Sequence, residues 1–216
     1  PILENEFYRI KVDLEEGVIT SLFDKELKRE LVDSSSEFRL GEFIYEQPDN
    51  RQSMERLTNA NRDTVYVPIK KTITGLSDIK VSGLAETPLW SSVKINGKID
   101  DCADHRGVNF EIKLYNTSKR IELSYDMVKL PNTSPEGVFI ALPFRMKDND
   151  QLAFDVQGGT VNPGINQLEG TSADWNVVQN FAAVKNDEAQ ILFSSNDVPL
   201  VQFGDINTGR FYYKHK

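Results

Sequence analysis

The chain offers 33 carboxylates and two histidines for acid–base or metal chemistry. Glycoside hydrolysis needs two carboxyl groups held on either side of the scissile bond. No two acidic residues here stand in a spacing that marks an acid and a nucleophile. Asp100-Asp101-Cys102-Ala103-Asp104-His105 places potential metal ligands in one short stretch. Zinc wants convergent donors of fixed geometry with supporting hydrogen bonds, whereas adjacent acids after Ile99 read as a solvated turn. His105 and His215 are the only histidines. A three-histidine zinc site is therefore impossible, and a Ser/His/Asp triad would have to use one of these two.

The stretch richest in binding chemistry runs from Phe154 to Val184. It holds Gln157-Gly158-Gly159, Asn162-Pro163-Gly164, Gln167-Leu168-Glu169-Gly170 and Asp174-Trp175-Asn176. A long, polar, glycine-punctuated loop between two apolar strands is a common place for function. Trp175 offers a flat apolar ring, and Gln167, Asp174 and Asn176 offer the donors and acceptors that hydroxyl groups require. Trp175 reads either as a plug of the core or as a ring in contact with a sugar. Asp174 reads as an exposed carboxylate.

Strands must position these residues, because period-two alternation runs through the sequence. Tyr8, Ile10, Val12 and Leu14 alternate with polar neighbours; so do Val108, Phe110, Ile112 and Leu114, and Ile121, Leu123, Tyr125 and Met127. Each run gives one dry and one wet face, the mark of antiparallel sheets covered on one side. Asn96-Gly97 is predicted to turn a type I′ hairpin, and Asn116-Thr117-Ser118-Lys119 a second one. Further strands are expected at Val18–Phe23, Thr64–Thr74, Phe139–Phe144, Gln190–Phe193 and Leu200–Phe203, with one short helix near Ser53–Asn61. About twelve strands with almost no helix imply two large packed sheets. No Pro/Gly/Ser linker divides the chain, so residues 1–216 read as one domain.

Composition narrows the partners. With 25 basic residues against 33 acidic ones the net charge is −8, the wrong sign for nucleic acid or an anionic membrane. No apolar run approaches the ~20 residues of a membrane helix. The lone Cys102 cannot form an intrachain disulfide. The first residues, Pro1-Ile2-Leu3, and the last, Tyr213-Lys214-His215-Lys216, read as cuts within a longer polypeptide.

Several blocks resemble, in order, the large β domain of family 38 α-mannosidases. Leu3–Ile10 is similar to its "ENxxYR" strand, Gly17–Lys25 to "GxIxSLxDK", and Arg29–Val32 to "RELVD". Leu40–Glu46, the "FAFPF"-like Val138–Phe144, and the glycine-pair-to-tryptophan stretch follow. The resemblance implies an all-β fold, a large antiparallel β supersandwich of the galactose-mutarotase type. It implies a zinc-dependent retaining α-mannosidase whose nucleophile and zinc ligands lie in a separate catalytic domain, leaving no cofactor in this chain. The partner would be that domain of the same polypeptide, and the ligands α-mannosides or related glycans. An aromatic in the Leu40–Glu46 block would approach the bound mannose, which points to Phe43 or Tyr45. With Gln167, Asp174 and Trp175 these are the candidate carbohydrate-binding residues. No catalytic residue and no metal ligand is assigned, and the chain alone is expected to be inactive. The resemblance does not separate bacterial cytoplasm from periplasm.

Two other readings compete. A stand-alone carbohydrate-binding module would need an exposed aromatic platform, for which Trp90, Trp175, Tyr212 and Tyr213 are candidates. An aldose epimerase would need a positioned acid and base, commonly two histidines and a carboxylate, which two histidines barely supply. A purely structural surface protein is the remaining alternative.

Overall fold

A computed structural model describes residues 1–49, 70–145, 150–169, 171, 173–195, 197–204 and 206. Among these there are seventeen strands and no helix, and the strand pairs whose register is described are antiparallel. The all-β expectation is met. The helix expected near Ser53–Asn61 lies outside the described residues. The chain divides into two compact units, Pro1–Gln47 with Lys71–Phe144, and Pro48–Lys70 with Arg145–Lys216.

The first unit contains a meander of β1 (Ile2–Glu4), β2 (Tyr8–Asp13), β3 (Val18–Asp24) and β4 (Arg29–Glu30). A second meander joins β7 (Ser77–Glu86), β8 (Trp90–Lys98), β9 (Ala103–Tyr115) and β10 (Ile121–Lys129). The alternation read from the sequence faces the core here. Ile10 and Val12 of β2, Val93 and Ile95 of β8, and Val108, Phe110, Ile112 and Leu114 of β9 are all buried. On β10 the apolar set is only half-buried because that strand is a sheet edge. The backbone of the first meander approaches side chains of the second: a Cβ added to Gly17, at the end of the β2–β3 turn, would lie 3.3 Å from Ile79 and 3.7 Å from Ile95. In a third sheet β5 (Phe43–Pro48) lies between β11 (Gly137–Ile140) and β6 (Lys71–Thr74). This central position explains why four consecutive residues, Phe43 to Glu46, are all buried.

The Asn116–Lys119 hairpin forms as expected, closed by the Tyr115 amide donating to the Arg120 carbonyl at 3.1 Å. The Asn96-Gly97 hairpin does not form. Both residues continue β8, opposite Asn109 and Val108, and the Asn96 amide donates to the Asn109 side chain and the Arg106 carbonyl, both at 3.0 Å. The turn comes four residues later, where Asp101 adopts φ 62°. A Cβ on Gly97 would stand 2.9 Å from Leu76 Cβ. A Cβ on Gly107 (φ +72°) would stand 2.2 Å from the Gly97 carbonyl oxygen, so the two backbones meet where a side chain has no room.

The second unit holds a four-stranded sheet in the order β13 (Gly159–Val161), β12 (Gln151–Val156), β15 (Ala182–Lys185) and β16 (Gln190–Phe193). A two-stranded ladder pairs β14 (Trp175–Val177) with β17 (Leu200–Gln202). Phe154, Val178, Ala182 and Phe203 make its core, with the rings of Phe154 and Phe203 centred 5.7 Å apart.

Candidate functional site

The Phe154–Val184 stretch folds as a chain of side-chain-to-backbone hydrogen bonds in the second unit. Such bonds let Asn, Asp and Gln fix irregular backbone that has no ladder of its own. Gly158 turns β12 into β13 at φ +90°. Asn162 then donates to the Leu152 carbonyl at 2.8 Å, and its own amide donates to Asn166 Oδ1 at 2.7 Å. Gln167 bridges the loop. Its Oε1 accepts from the Gly164 amide at 2.7 Å, and its Nε2 donates to Asn176 Oδ1 at 2.9 Å. Asn176, buried on β14, closes the circuit by donating to the Ala173 carbonyl at 3.1 Å.

Asp155 anchors the far end. Its carboxylate accepts from the backbone amides of Gln179, Asn180 and Phe181 and, at 2.6 Å, from the Asn180 side chain. Burial pushes its pKa up, but the amides of Phe181, Asn180 and Gln179 outweigh this and hold it below the usual aspartate value. Asn162 and Asp155 are fixing residues to which the sequence reading gave no role, and Asn176, read there as a partner for hydroxyl groups, fixes the loop instead. Asx-type spacing, with Asn or Asp a few residues from a glycine or proline, was the signal available for the first.

The candidate residues separate into two groups. Gln167 is half-buried and fixed as described. Asp174 is not the exposed carboxylate expected, being 1% exposed, and its carbonyl accepts from the Phe203 amide at 2.8 Å. Its place just before β14, where the chain enters the unit's interior, accounts for the difference. Trp175 is half-buried on β14, directly opposite Gln202.

Phe43 and Tyr45 belong to the first unit, where they join one core cluster with Cys102 and Val108 at 3% and 0% exposure. Neither ring faces solvent. The Tyr45 hydroxyl donates to Glu136 at 2.5 Å, and Lys129 pairs with the same carboxylate at 2.8 Å. Burial, then the Glu136 bond, pushes the phenol up to about 12. Desolvation would raise the Glu136 pKa, but Lys129, Tyr45 and Asn132 together hold it below the usual glutamate value.

Of the other aromatic candidates, Trp90 stands opposite Tyr115 with Lys113 Nζ 5.2 Å above its ring, while Arg120 covers Tyr115. Tyr212 and Tyr213 lie outside the described residues. Asp104 is paired with Arg106 at 2.7 Å and Cys102 is buried. Among the described residues no group of three or more His, Cys, Asp or Glu side chains is placed to hold a metal ion. No helix among them is long and apolar enough to cross a membrane.

The described residues thus make an all-β fold of antiparallel sheets, with a polar loop held by its own side-chain amides. Residues 3–196 match the family model for the glycosyl hydrolases family 38 C-terminal domain, and the chain belongs to that family. Comparison with curated proteins and with solved structures found no match.

Proposed function

We propose that residues 1–216 act as one non-catalytic β-sandwich domain of a zinc-dependent retaining α-mannosidase-like hydrolase. In this reading the domain packs on the catalytic domain, and the loop from Gln167 to Trp175 helps to shape the sugar pocket. The family match across residues 3–196, which takes in the whole loop, carries the proposal. The loop's geometry supports it. A wall of a binding pocket gains from being fixed before the ligand arrives, since ordering it on binding would subtract from affinity. The Gly164–Gln167–Asn176–Ala173 chain of hydrogen bonds fixes this one. Zinc and the nucleophile belong to the catalytic domain in this account, and no reaction step is assigned to these residues.

The test is kinetic. Trp175→Ala in the full-length enzyme should lower kcat/KM for an aryl α-mannoside at least tenfold, equivalent to about 1.4 kcal/mol of transition-state binding. The assay temperature must lie well below the variant's own melting point. An unchanged kcat/KM would remove the loop from the pocket.

A further inference from the structure

An Asn-Gly step is open to spontaneous deamidation, because glycine leaves its amide nitrogen unhindered and its backbone free to bend. The Gly97 nitrogen would attack the side-chain carbonyl carbon of Asn96, expelling ammonia and closing a succinimide. Water then opens that ring to aspartate or isoaspartate, so the balance is one water taken up and one ammonia released. In this chain the step does not lie in a loose turn. It lies in β8, which is paired with β7 on one side and β9 on the other. Ring closure requires the Gly97 nitrogen to rotate into line with the Asn96 side chain. Extended backbone, with ψ near the ~+135° of an antiparallel strand, holds the two apart. The side chain is held as well: Asn96 Nδ2 donates to the Arg106 carbonyl and to Asn109 Oδ1, both at 3.0 Å, and meets the Val108 carbonyl at 3.4 Å.

We propose that Asn96-Gly97 is a guarded deamidation site: closed while β8 is paired with β9, open when the strands part, and unable to return to the native pairing once converted. The fold holds both residues in place. A Cβ at position 97 would lie 2.9 Å from Leu76 Cβ, and Asn96 supplies the donor that three acceptors share. The one-way character follows from the same contacts. Aspartate at position 96 would be ionised at neutral pH and could only accept hydrogen bonds. It would set a carboxylate against the Arg106 and Val108 carbonyls, neither of which can turn round, although the Asn109 amide can. Isoaspartate would also lengthen the backbone by one methylene and disturb the register of β8 with both neighbours. Lys80, opposite Asn96 on β7, is exposed and offers only a solvent-screened ion pair in return.

The test is to hold the chain in mildly alkaline buffer, folded and in concentrated guanidinium chloride, and to follow each asparagine by peptide mapping with mass spectrometry. In the unfolded chain Asn96 should convert before any other asparagine. In the folded chain it should convert at least about tenfold more slowly, because the reaction follows the population of the open form. Gly97→Ala, compared in denaturant so that its own folding does not enter, should slow conversion several-fold by hindering the attacking nitrogen. Once denaturant is removed, chains converted at Asn96 should melt several degrees lower than the starting protein or fail to refold. Chains kept unfolded for the same time in mildly acidic denaturant, where the reaction is slow, should recover the original melting temperature. Equal rates at Asn96 in the folded and unfolded chain would overturn the guard. Another asparagine converting first, or no effect of Gly97→Ala, would overturn the site. Converted chains that refold with the original melting temperature would overturn its one-way character.

Discussion

Replacing Gln167 by alanine should loosen the loop from both sides at once. Among the described residues the side chain accepts from the Gly164 amide at 2.7 Å and donates to Asn176 Oδ1 at 2.9 Å. Each contributes about 0.5–1.5 kcal/mol net. Asn176 is 8% exposed, so its Oδ1 would be left without ready access to water, adding about 1 kcal/mol or more. The total is about 2–4 kcal/mol, which for a domain of this size lowers Tm by about 4–16 °C. Thermal unfolding followed by circular dichroism, for Gln167→Ala, Asn176→Ala and the double variant, measures it. The double variant should be less destabilised than the sum of the singles, with a coupling of about 0.5–1.5 kcal/mol. A drop below about 2 °C for Gln167→Ala, or strict additivity, would show that the loop is not held by this side chain.

Gly107→Ala should cost at least about 2 kcal/mol, because it places a side chain at φ +72° and 2.2 Å from the Gly97 carbonyl oxygen; urea unfolding measures the loss. Tyr45→Phe removes a 2.5 Å bond to an ionised Glu136, worth about 1.5–3 kcal/mol, and should lower Tm by about 3–12 °C. Asp155 gives a pH signature. Its folded pKa lies below the ordinary 3.8, so its stabilisation is complete above that value and is lost as pH falls through the lower folded one. The Tm gap between the chain and its Asp155→Asn variant should be constant above about pH 5 and close below about pH 4; a gap that widens in acid would contradict the assigned hydrogen bonds.

Strands that bury one face were readable because period-two alternation is a direct consequence of strand geometry. The β9 run from Val108 to Leu114 shows it, each apolar residue buried and each polar one wetter. Strand β7 was not named from the sequence, since an exposed edge strand broken by Gly83 has little apolar pattern to read. Asn96-Gly97 misled because local turn preference lost to strand pairing across β8 and β9. The polar loop was found from its composition. Its fixing bonds were not, because Gln167–Asn176 and Asn162–Leu152 depend on where the chain returns in space. Phe43 and Tyr45 came from the family resemblance of their block, and it is the central place of β5 in its sheet that buries them.

The most direct measurement is the structure of the full-length enzyme with a mannose-derived ligand bound. The account predicts at least one side chain between Gln167 and Trp175 within about 4.5 Å of the sugar. A ligand enclosed wholly by the catalytic domain, with this loop facing bulk solvent, would contradict it.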